Sequence, residues 1–300
     1  MFSFKFIAYL FVIHLALGQN YRVLDFGAKG DGTTDDTKAV RAALVAANKT
    51  NGGRVVFDSG STFLTGAFNV TSNVILDIRG KILASTNNAN YAWTSSAWQP
   101  LIYAVNVQNI TITGGGVIDG QGSIWWKCAK DTSLAPCSNK QRPMLFNPNQ
   151  VTGIVINNVA FKDSPMFNIG LSGVKNVHIY NISITAPASG DPVNPSHNTD
   201  GIDAGDVTVM ASSSYRLAEN ITFRNLTIGN GHGLAIGSYT LGGVRNVTFQ
   251  DIVINGGDRL DTGPNIISQP GRGGIAHNFK LNQHLYFKTG FPDIEIRIFN

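Results

Sequence analysis

The stretch Val174-Lys175-Asn176-Val177-His178-Ile179 contains the pattern that decides the fold of this chain. An asparagine follows a small or polar entry and precedes apolar residues at alternate positions. The same pattern recurs four times, once with glycine in place of asparagine, at residues 107–112, 151–156, 218–223 and 244–249. Short β-branched segments with this alternation are typical of strands.

The spacing of these segments indicates a repeat architecture. The asparagine or glycine falls at 109, 153, 176, 220 and 246, so the steps are 44, 23, 44 and 26 residues. We interpret each step of 44 as a double step of about 22 residues that also contains a loop. A second apolar strand follows each segment, as at residues 181–184.

Strands this short cannot bury both faces alone, whereas the stacked coils of a solenoid share one apolar interior. The sequence therefore predicts an all-β fold, a right-handed parallel β-helix. The repeated asparagines suit turn or left-handed conformations, and their amides can hydrogen-bond to neighbouring coils. The alternative architecture is a β-sandwich, which favours Asn-Gly hairpin turns that are scarce here.

The residues before the repeats predict an N-terminal capping helix. Asp35 and Asp36 belong to a polar N-cap region and are expected in the first helical turn, and the Ala-rich segment 38–47 follows. This helix would cover the open end of the stack. No linker divides residues 19–300, so we expect a single β-helix domain. Beyond Asn278 the repeat is no longer recognisable, which predicts a truncated C-terminal end.

The N-terminus and the composition indicate a secreted protein. Residues 1–18 resemble a signal peptide, because Lys5 precedes an apolar run that is too short to span a bilayer. We expect an extracellular monomer without membrane contact. Only 14% of residues are charged and no basic cluster is present, which argues against nucleic acid. The net charge of +4 is compatible with a polyanionic partner.

The two cysteines, Cys128 and Cys137, lie nine positions apart in a loop-like segment. In an oxidising compartment this spacing predicts a local disulfide. A metal site would need more soft ligands nearby, and the sequence shows none there, so neither a metal nor another cofactor is expected.

Two further motifs point to chemistry. Asn198-Thr199-Asp200-Gly201-Ile202-Asp203 and Gly231-His232-Gly233 resemble two active-site blocks of polygalacturonase-type enzymes of glycoside hydrolase family 28. The resemblance extends from about Tyr21 to Asn255. Four other segments support it: residues 25–32, which resemble the entry of pectin-lyase-fold proteins, residues 115–122, Trp125-Trp126 and Arg142-Pro143.

The resemblance implies a secreted hydrolase that cleaves the α-1,4-galacturonan of pectin by an inverting acid/base mechanism. Such enzymes need a protonated carboxyl group and a carboxylate, with room for a water molecule between them. By this resemblance Asp206 donates the proton, Asp200 helps to hold the water, and His232 orients the acids. The candidate substrate-binding residues are Asn198, Gly231, Gly233 and Arg259.

The chain departs from the family pattern at two blocks. Only 32 positions separate Asp200 from His232, and Gly205-Asp206-Val207 is the sole counterpart of the Gly-Asp-Asp block expected between them. One alignment places Asp206 at the first acid and leaves a coil missing. The rival alignment makes residues 205–210 an ordinary strand and gives the acid pair no counterpart.

Asn265-Ile266-Ile267 stands where the family has a cationic Arg-Ile-Lys block, and Arg259 is nearby but out of register. Losing paired cations predicts weaker binding of a polyanion and weak or absent turnover. Two alternatives to an active enzyme follow. One is a non-catalytic β-helix that binds pectin or acts as a decoy, and the other is a shortened gene or splice product of an active parent.

Overall fold

The computed structural model describes residues 19–93, 96–186, 196–205, 217–228, 234–236, 243–254, 264–268, 276–287 and 295–298. The predicted signal peptide, residues 1–18, lies outside them. The helical elements are α1 (Thr37–Lys49), α2 (Ser123–Trp126) and two 3-10 turns (Val23–Phe26 and Asn88–Asn90). In the described part of the chain, no helix is long and apolar enough to cross a membrane.

The described strands form two sheets. The larger sheet has thirteen strands: β1 (Asn20–Arg22), β2 (Asp31–Asp35), β3 (Gly53–Phe57), β4 (Thr62–Thr65), β6 (Val74–Ile78), β7 (Lys81–Ala84), β9 (Gln108–Thr113), β10 (Val117–Asp119), β12 (Thr152–Lys162), β14 (Lys175–Thr185), β16 (Ala218–Ile228), β18 (Val244–Ile254) and β20 (Ala276–Phe287). The smaller sheet has eight: β5 (Phe68–Asn69), β8 (Ile102–Val105), β11 (Phe146–Asn149), β13 (Ile169–Ser172), β15 (Ile202–Gly205), β17 (Leu234–Ile236), β19 (Pro264–Ser268) and β21 (Glu295–Ile298).

The chain alternates between the two sheets and adds one coil to the stack each time it returns to the larger sheet. A short strand of the smaller sheet leads into a long strand of the larger one, and successive coils pair in parallel. Inside, Ile156 lies between Ile112 and Ile179, and the same column continues to Phe223 and Phe249. All five side chains are buried. The predicted right-handed parallel β-helix is confirmed.

Two bends shape each long strand, and an asparagine occupies most of them. In β14 the bends are at Asn176 (φ 56°) and Asn181 (φ 52°), and in β16 they are at Asn220 (φ 57°) and Asn225 (φ 49°). Asparagine tolerates this left-handed backbone region better than most residues with a side chain. The repeated asparagine therefore suits the left-handed backbone of these bends, as the sequence predicts.

The asparagine amides also join the coils to one another. Asn220 Nδ2 donates to Asn176 Oδ1 at 3.1 Å. Asn246 Nδ2 donates to Asn220 Oδ1 at 2.9 Å, and Asn278 Nδ2 donates to Asn246 Oδ1 at 3.2 Å. Because each bond links the same bend of two coils, the ladder keeps neighbouring strands in one register.

The interpretation of the 44-residue steps as double steps is wrong. β9 pairs directly with β12, where Ile110 faces Ile154, and β14 pairs directly with β16, where Val177 faces Ile221. Each step of 44 is therefore one coil of the larger sheet with a long connection. A long connection at the edge of a sheet adds residues to the sequence without changing the register of the paired strands. The number of coils therefore cannot be derived from sequence spacing alone.

The capping helix is present, but its acids do not lie in its first turn as expected. α1 begins at Thr37, and the Thr37 backbone N–H donates to Asp35 Oδ1 at 2.9 Å. The buried Asp36 carboxylate accepts instead from the backbone N–H groups of Lys29 and Gly30. The acids therefore tie the entry loop to the helix. The face of α1 that is buried consists of Thr37, Ala39, Val40, Ala43, Leu44 and Ala47.

Strands continue past Asn278, where the repeat is no longer recognisable in the sequence. β20 pairs with β18, and β21 pairs with β19, so both sheets continue into the last described residues. The pairing passes from Gln250–Asn282 to Ile252–Leu285, which means that β20 has one extra residue there. Such a bulge shifts the alternation by one position and hides the repeat in the sequence.

The ladder bend at Asn220 should tolerate glycine better than alanine. Asn220→Ala places an unsuited side chain in the left-handed region and removes amide hydrogen bonds, so the free energy of unfolding should fall by about 2 kcal/mol. Asn220→Gly loses only the hydrogen bonds and should be more stable than the alanine variant by about 1 kcal/mol. Gly153 occupies the equivalent bend naturally. Urea denaturation measures the free energy of unfolding of both variants, and equal losses in the two would contradict the requirement for a left-handed backbone at this bend.

Candidate functional site

The outer face of the smaller sheet carries a row of polar residues. In β8, β11, β13 and β15 alternate residues enter the core: Ile102, Ala104, Phe146, Ile169, Leu171, Ile202 and Ala204. Their neighbours therefore project from the opposite face. There Tyr103, Asn147, Gly170 and Asp203 follow one another in register across four strands. We call these four residues the polar row.

The side chains on this face are held by their neighbours. Asn147 Nδ2 donates to the Gly170 carbonyl oxygen at 2.5 Å. Burial raises the pKa of Tyr103, and a hydrogen bond with Asn149 opposes that rise. Asp203 is buried as well. Asn147, Asp203 and Tyr103 are 1%, 6% and 8% exposed, so the polar row is a largely covered line of amide, carboxylate and hydroxyl groups on the outer side of this sheet.

Asp200 lies two residues before β15, in a turn that is held by hydrogen bonds from the preceding coil. Its side chain is 7% exposed. The Asp200 carbonyl oxygen accepts from the backbone N–H of Asn168 at 2.9 Å and from Asn168 Nδ2 at 3.1 Å. Asn168 Nδ2 also donates to the Thr199 carbonyl oxygen, and Asn198 adopts a left-handed backbone at φ 51°. The backbone around the predicted catalytic acid is therefore constrained.

A buried arginine lies within electrostatic range of this acid. Arg142 is 4% exposed, and its Nη1 donates to the carbonyl oxygens of Pro165 at 2.7 Å and His197 at 2.8 Å. Burial lowers the pKa of Arg142 to about 10, and the Asp200 carboxylate opposes that shift. Arg142 therefore remains a cation at neutral pH and joins two connections on one edge of the smaller sheet.

The structure describes only part of the predicted site. Asp200 and Asn198 lie in the turn before β15. The other predicted catalytic residues, Asp206 and His232, lie outside the described residues. So do three predicted substrate-binding residues: Gly231, Gly233 and Arg259.

The two strands next to the motifs are direct neighbours. Ile202 of β15 pairs with Leu234 of β17, and Asp203 pairs with Ala235. β15 follows the Asn198-Thr199-Asp200-Gly201 block, and β17 follows the Gly231-His232-Gly233 block. In the described part of the smaller sheet, no strand separates them.

A disulfide joins Cys128 and Cys137, whose Cα atoms are 6.0 Å apart. Both cysteines are buried. The Cys137 carbonyl oxygen accepts from the indole N–H of Trp98 at 2.9 Å. The disulfide loop is thus attached to the residues that precede β8.

Sequence reasoning assigned no site role to Arg142, Asn168 or Asp203. Asp203 could have been found, because it lies one position after Ile202 and must face away from the core. Arg142 stands next to a proline and an apolar run, which is a weak sign of a buried cation. Asn168 has no comparable signal. Among the described residues no group of three or more His, Cys, Asp or Glu side chains could hold a metal ion.

A parallel β-helix with two buried acids, Asp200 just before and Asp203 within one strand of its smaller sheet, is the class of molecule that this geometry defines. Comparison with known families places the chain within that class. Glycosyl hydrolases family 28 matches residues 49–262, which is more than half of the chain. The chain belongs to this family, and the predicted family is confirmed.

Curated relatives and solved structures agree with that assignment. The chain is 30% identical over 294 residues to a polygalacturonase of Persea americana, covering 90% of this chain and 60% of the relative. It is 30% identical over 240 residues to an exopolygalacturonase of Zea mays, covering 74% of this chain and 55% of the relative. The chain thus spans about half to three fifths of the length of these relatives.

Among solved structures, the chain resembles an exopolygalacturonase from Thermotoga maritima, with a TM-score of 0.64 and 24% identity, over 88% of this chain and 75% of the other. It also resembles a polygalacturonase from Erwinia carotovora, with a TM-score of 0.57 and 24% identity, over 88% of this chain and 81% of the other. At this identity the likeness supports the fold.

Arg142 should be important for stability because its guanidinium satisfies two carbonyl oxygens inside the molecule. Arg142→Leu leaves both oxygens without that donor and should lower the free energy of unfolding by about 2–4 kcal/mol. Arg142→Lys keeps the positive charge but lacks the planar guanidinium, and it should lose less stability than Arg142→Leu. Urea denaturation measures the difference. Lys130→Leu, on an exposed lysine, is the control, and an equal loss there would contradict the role of Arg142.

Proposed function

We propose that this chain is a secreted glycoside hydrolase that cleaves the α-1,4-galacturonan of pectin, with residues from Gln19 onward forming one domain. The observation that carries the proposal is the placement of Asp200. It is a buried carboxylate near the Arg142 cation, in a constrained turn beside the polar row. The family assignment and the polygalacturonase relatives support the substrate.

The proposed mechanism is inverting acid/base hydrolysis. One carboxyl group protonates the leaving oxygen while a carboxylate on the other side of the sugar activates water. We assign proton donation to Asp206 and support of the water to Asp200. Asp203 belongs to the polar row, and its carboxylate is proposed to contact a sugar bound on that face.

His232 is proposed to orient the acids next to Asp200. Ile202 and Leu234 are paired, and Asp200 and His232 each precede their paired residue by two positions. Equal spacing before paired strands favours neighbouring positions for the two side chains. Asn198, Gly231 and Gly233 would line the same cleft. Arg259 is the proposed cation for a substrate carboxylate.

One observation favours a second candidate function, a non-catalytic pectin-binding or decoy protein. β15 pairs directly with β17, which leaves no coil between the two motif strands for a second acid pair. Val207 also stands where one alignment expects the second acid. Such a protein would retain the polar row and the β-helix, and it would bind the polysaccharide without turnover.

Release of reducing ends from polygalacturonate separates the two functions. The enzyme proposal predicts release by the unmodified chain and a loss of about 100-fold or more in Asp200→Asn, since a positioned carboxylate contributes at least that much. Asp25→Asn removes an exposed carboxylate and is the matched control, with unchanged release expected. Retention on immobilised polygalacturonate is measured in parallel for all three proteins. Retention without release would contradict the enzyme proposal and support the binding protein.

A further inference from the structure

An exposed tryptophan and a lysine form a surface apart from the Asp200 turn. Trp93 is 62% exposed, although large aromatic side chains are usually covered. Lys140 Nζ lies 5.7 Å from the centroid of the Trp93 ring and 5.2 Å from that of Trp98. We call Trp93, Trp98 and Lys140 the tryptophan–lysine surface. An aromatic ring beside a cation is suited to a ligand that has both an apolar face and a negative charge.

This surface is anchored in the core by a chain of aromatic contacts. Trp98 packs edge-on against Trp93 at 5.8 Å and against Trp125 at 6.3 Å, and Trp125 packs against Tyr91 at 5.9 Å. The indole N–H of Trp98 also donates to the Cys137 carbonyl oxygen in the disulfide loop. A surface held in this way loses little conformational entropy when it binds a ligand.

The charge of the adjoining loop favours an anion. Between positions 127 and 141 the sequence has Lys127, Lys130 and Lys140 against the single acid Asp131. Lys127 and Lys130 are exposed, and the disulfide between Cys128 and Cys137 closes the loop. The loop therefore presents a local excess of positive charge next to Trp93.

The surface is continuous with the residues that hold the Asp200 turn. The Trp98 backbone N–H donates to the Gln141 carbonyl oxygen at 3.0 Å. The next residue is Arg142, whose guanidinium reaches the His197 carbonyl oxygen. Trp98 precedes β8 and Asp200 precedes β15, so both lie on the entry edge of the smaller sheet, three strand pairings apart. At ~4.8 Å per pairing the separation along the stack is ~14 Å.

We propose that the tryptophan–lysine surface binds a galacturonate unit of the same polysaccharide, away from the bond that is cleaved. The C–H face of the sugar would stack on Trp93 and its carboxylate would pair with Lys140. The inference rests on the proposed function and deepens it. Lys140 would thereby supply a cation from the disulfide loop to a chain that lacks the Arg-Ile-Lys block. A methyl-esterified unit lacks the carboxylate and is expected to bind more weakly.

Tryptophan fluorescence can observe this surface directly. The chain has four tryptophans, and Trp98, Trp125 and Trp126 are 5%, 0% and 8% exposed. Quenching by acrylamide in the folded protein therefore reports mainly on Trp93. Hexagalacturonate should reduce the quenching constant by about twofold or more, and methyl-esterified hexagalacturonate should reduce it less. Unchanged quenching at saturating hexagalacturonate would overturn the proposal.

Substitutions of Trp93 and Lys140 measure how much each side chain contributes to hexagalacturonate binding. Trp93→Ala should weaken hexagalacturonate binding by about tenfold, since it removes the apolar contact of one ring, and Trp93→Phe should recover most of the affinity. Lys140→Gln should weaken binding by about threefold and make it less sensitive to salt. Leu134→Ala, an exposed apolar residue of the same loop, and Lys38→Gln, on α1, are the matched controls. Calorimetric titration measures all five proteins against the unmodified chain.

The outcomes separate this inference from the proposed function. If Trp93→Ala and Lys140→Gln bind like their controls while the unmodified chain cleaves polygalacturonate, the surface proposal is wrong and the enzyme proposal stands. If the unmodified chain neither binds hexagalacturonate nor releases reducing ends, both are wrong. Weaker binding in both variants with normal binding in both controls supports the surface, whether or not the chain turns over substrate.

Discussion

The stacking of this β-helix depends on backbone bends in the left-handed region, which recur at the same place in successive coils. Asparagine occupies these bends because its side chain tolerates the conformation and because its amide can bond to the asparagine above or below. Each bend turns a long strand around the core, and each amide bond holds the next coil to the same register. The continuous column from Ile112 to Phe249 follows from that register.

The same register determines where chemistry can occur. In the strands of the smaller sheet, residues that enter the core alternate with residues on the outer face, so Tyr103, Asn147 and Asp203 meet in one row although they are distant in sequence. The connections that enter these strands vary in length without disturbing the stack, and they contain Asp200 and Arg142. A rigid ladder therefore supports variable loops, which is a common arrangement for functional sites. Because β15 pairs directly with β17, the two motifs belong to consecutive coils.

The fold could be predicted from the sequence because the pattern that identifies each strand lies within a few consecutive residues. An asparagine followed by alternating apolar residues identifies both the strand and its bend, as at Asn176 and Asn220. Coil number could not be predicted, because long connections have no periodicity, and the bulge in β20 shifts the alternation that would identify its strand. Asp200 was predictable from its motif. Arg142 and Asn168 were not, since their roles depend on contacts with Asp200 and its neighbours that only the folded chain brings together.

The strands that follow the two motifs are adjacent, with Asp203 paired with Ala235. Oxidative cross-linking of the double variant Asp203→Cys and Ala235→Cys tests this adjacency, because the two native cysteines are already paired with each other. Neighbouring parallel strands place such Cα atoms at ~4.8 Å, which is within the reach of a disulfide, whereas an intervening coil would separate them by ~9.6 Å. A disulfide is expected in this variant and none in the control Gly170→Cys with Ala235→Cys, whose positions are two strand pairings apart. Failure of the first pair to cross-link in the folded protein would show that β15 and β17 are not neighbours and would contradict this arrangement of the coils.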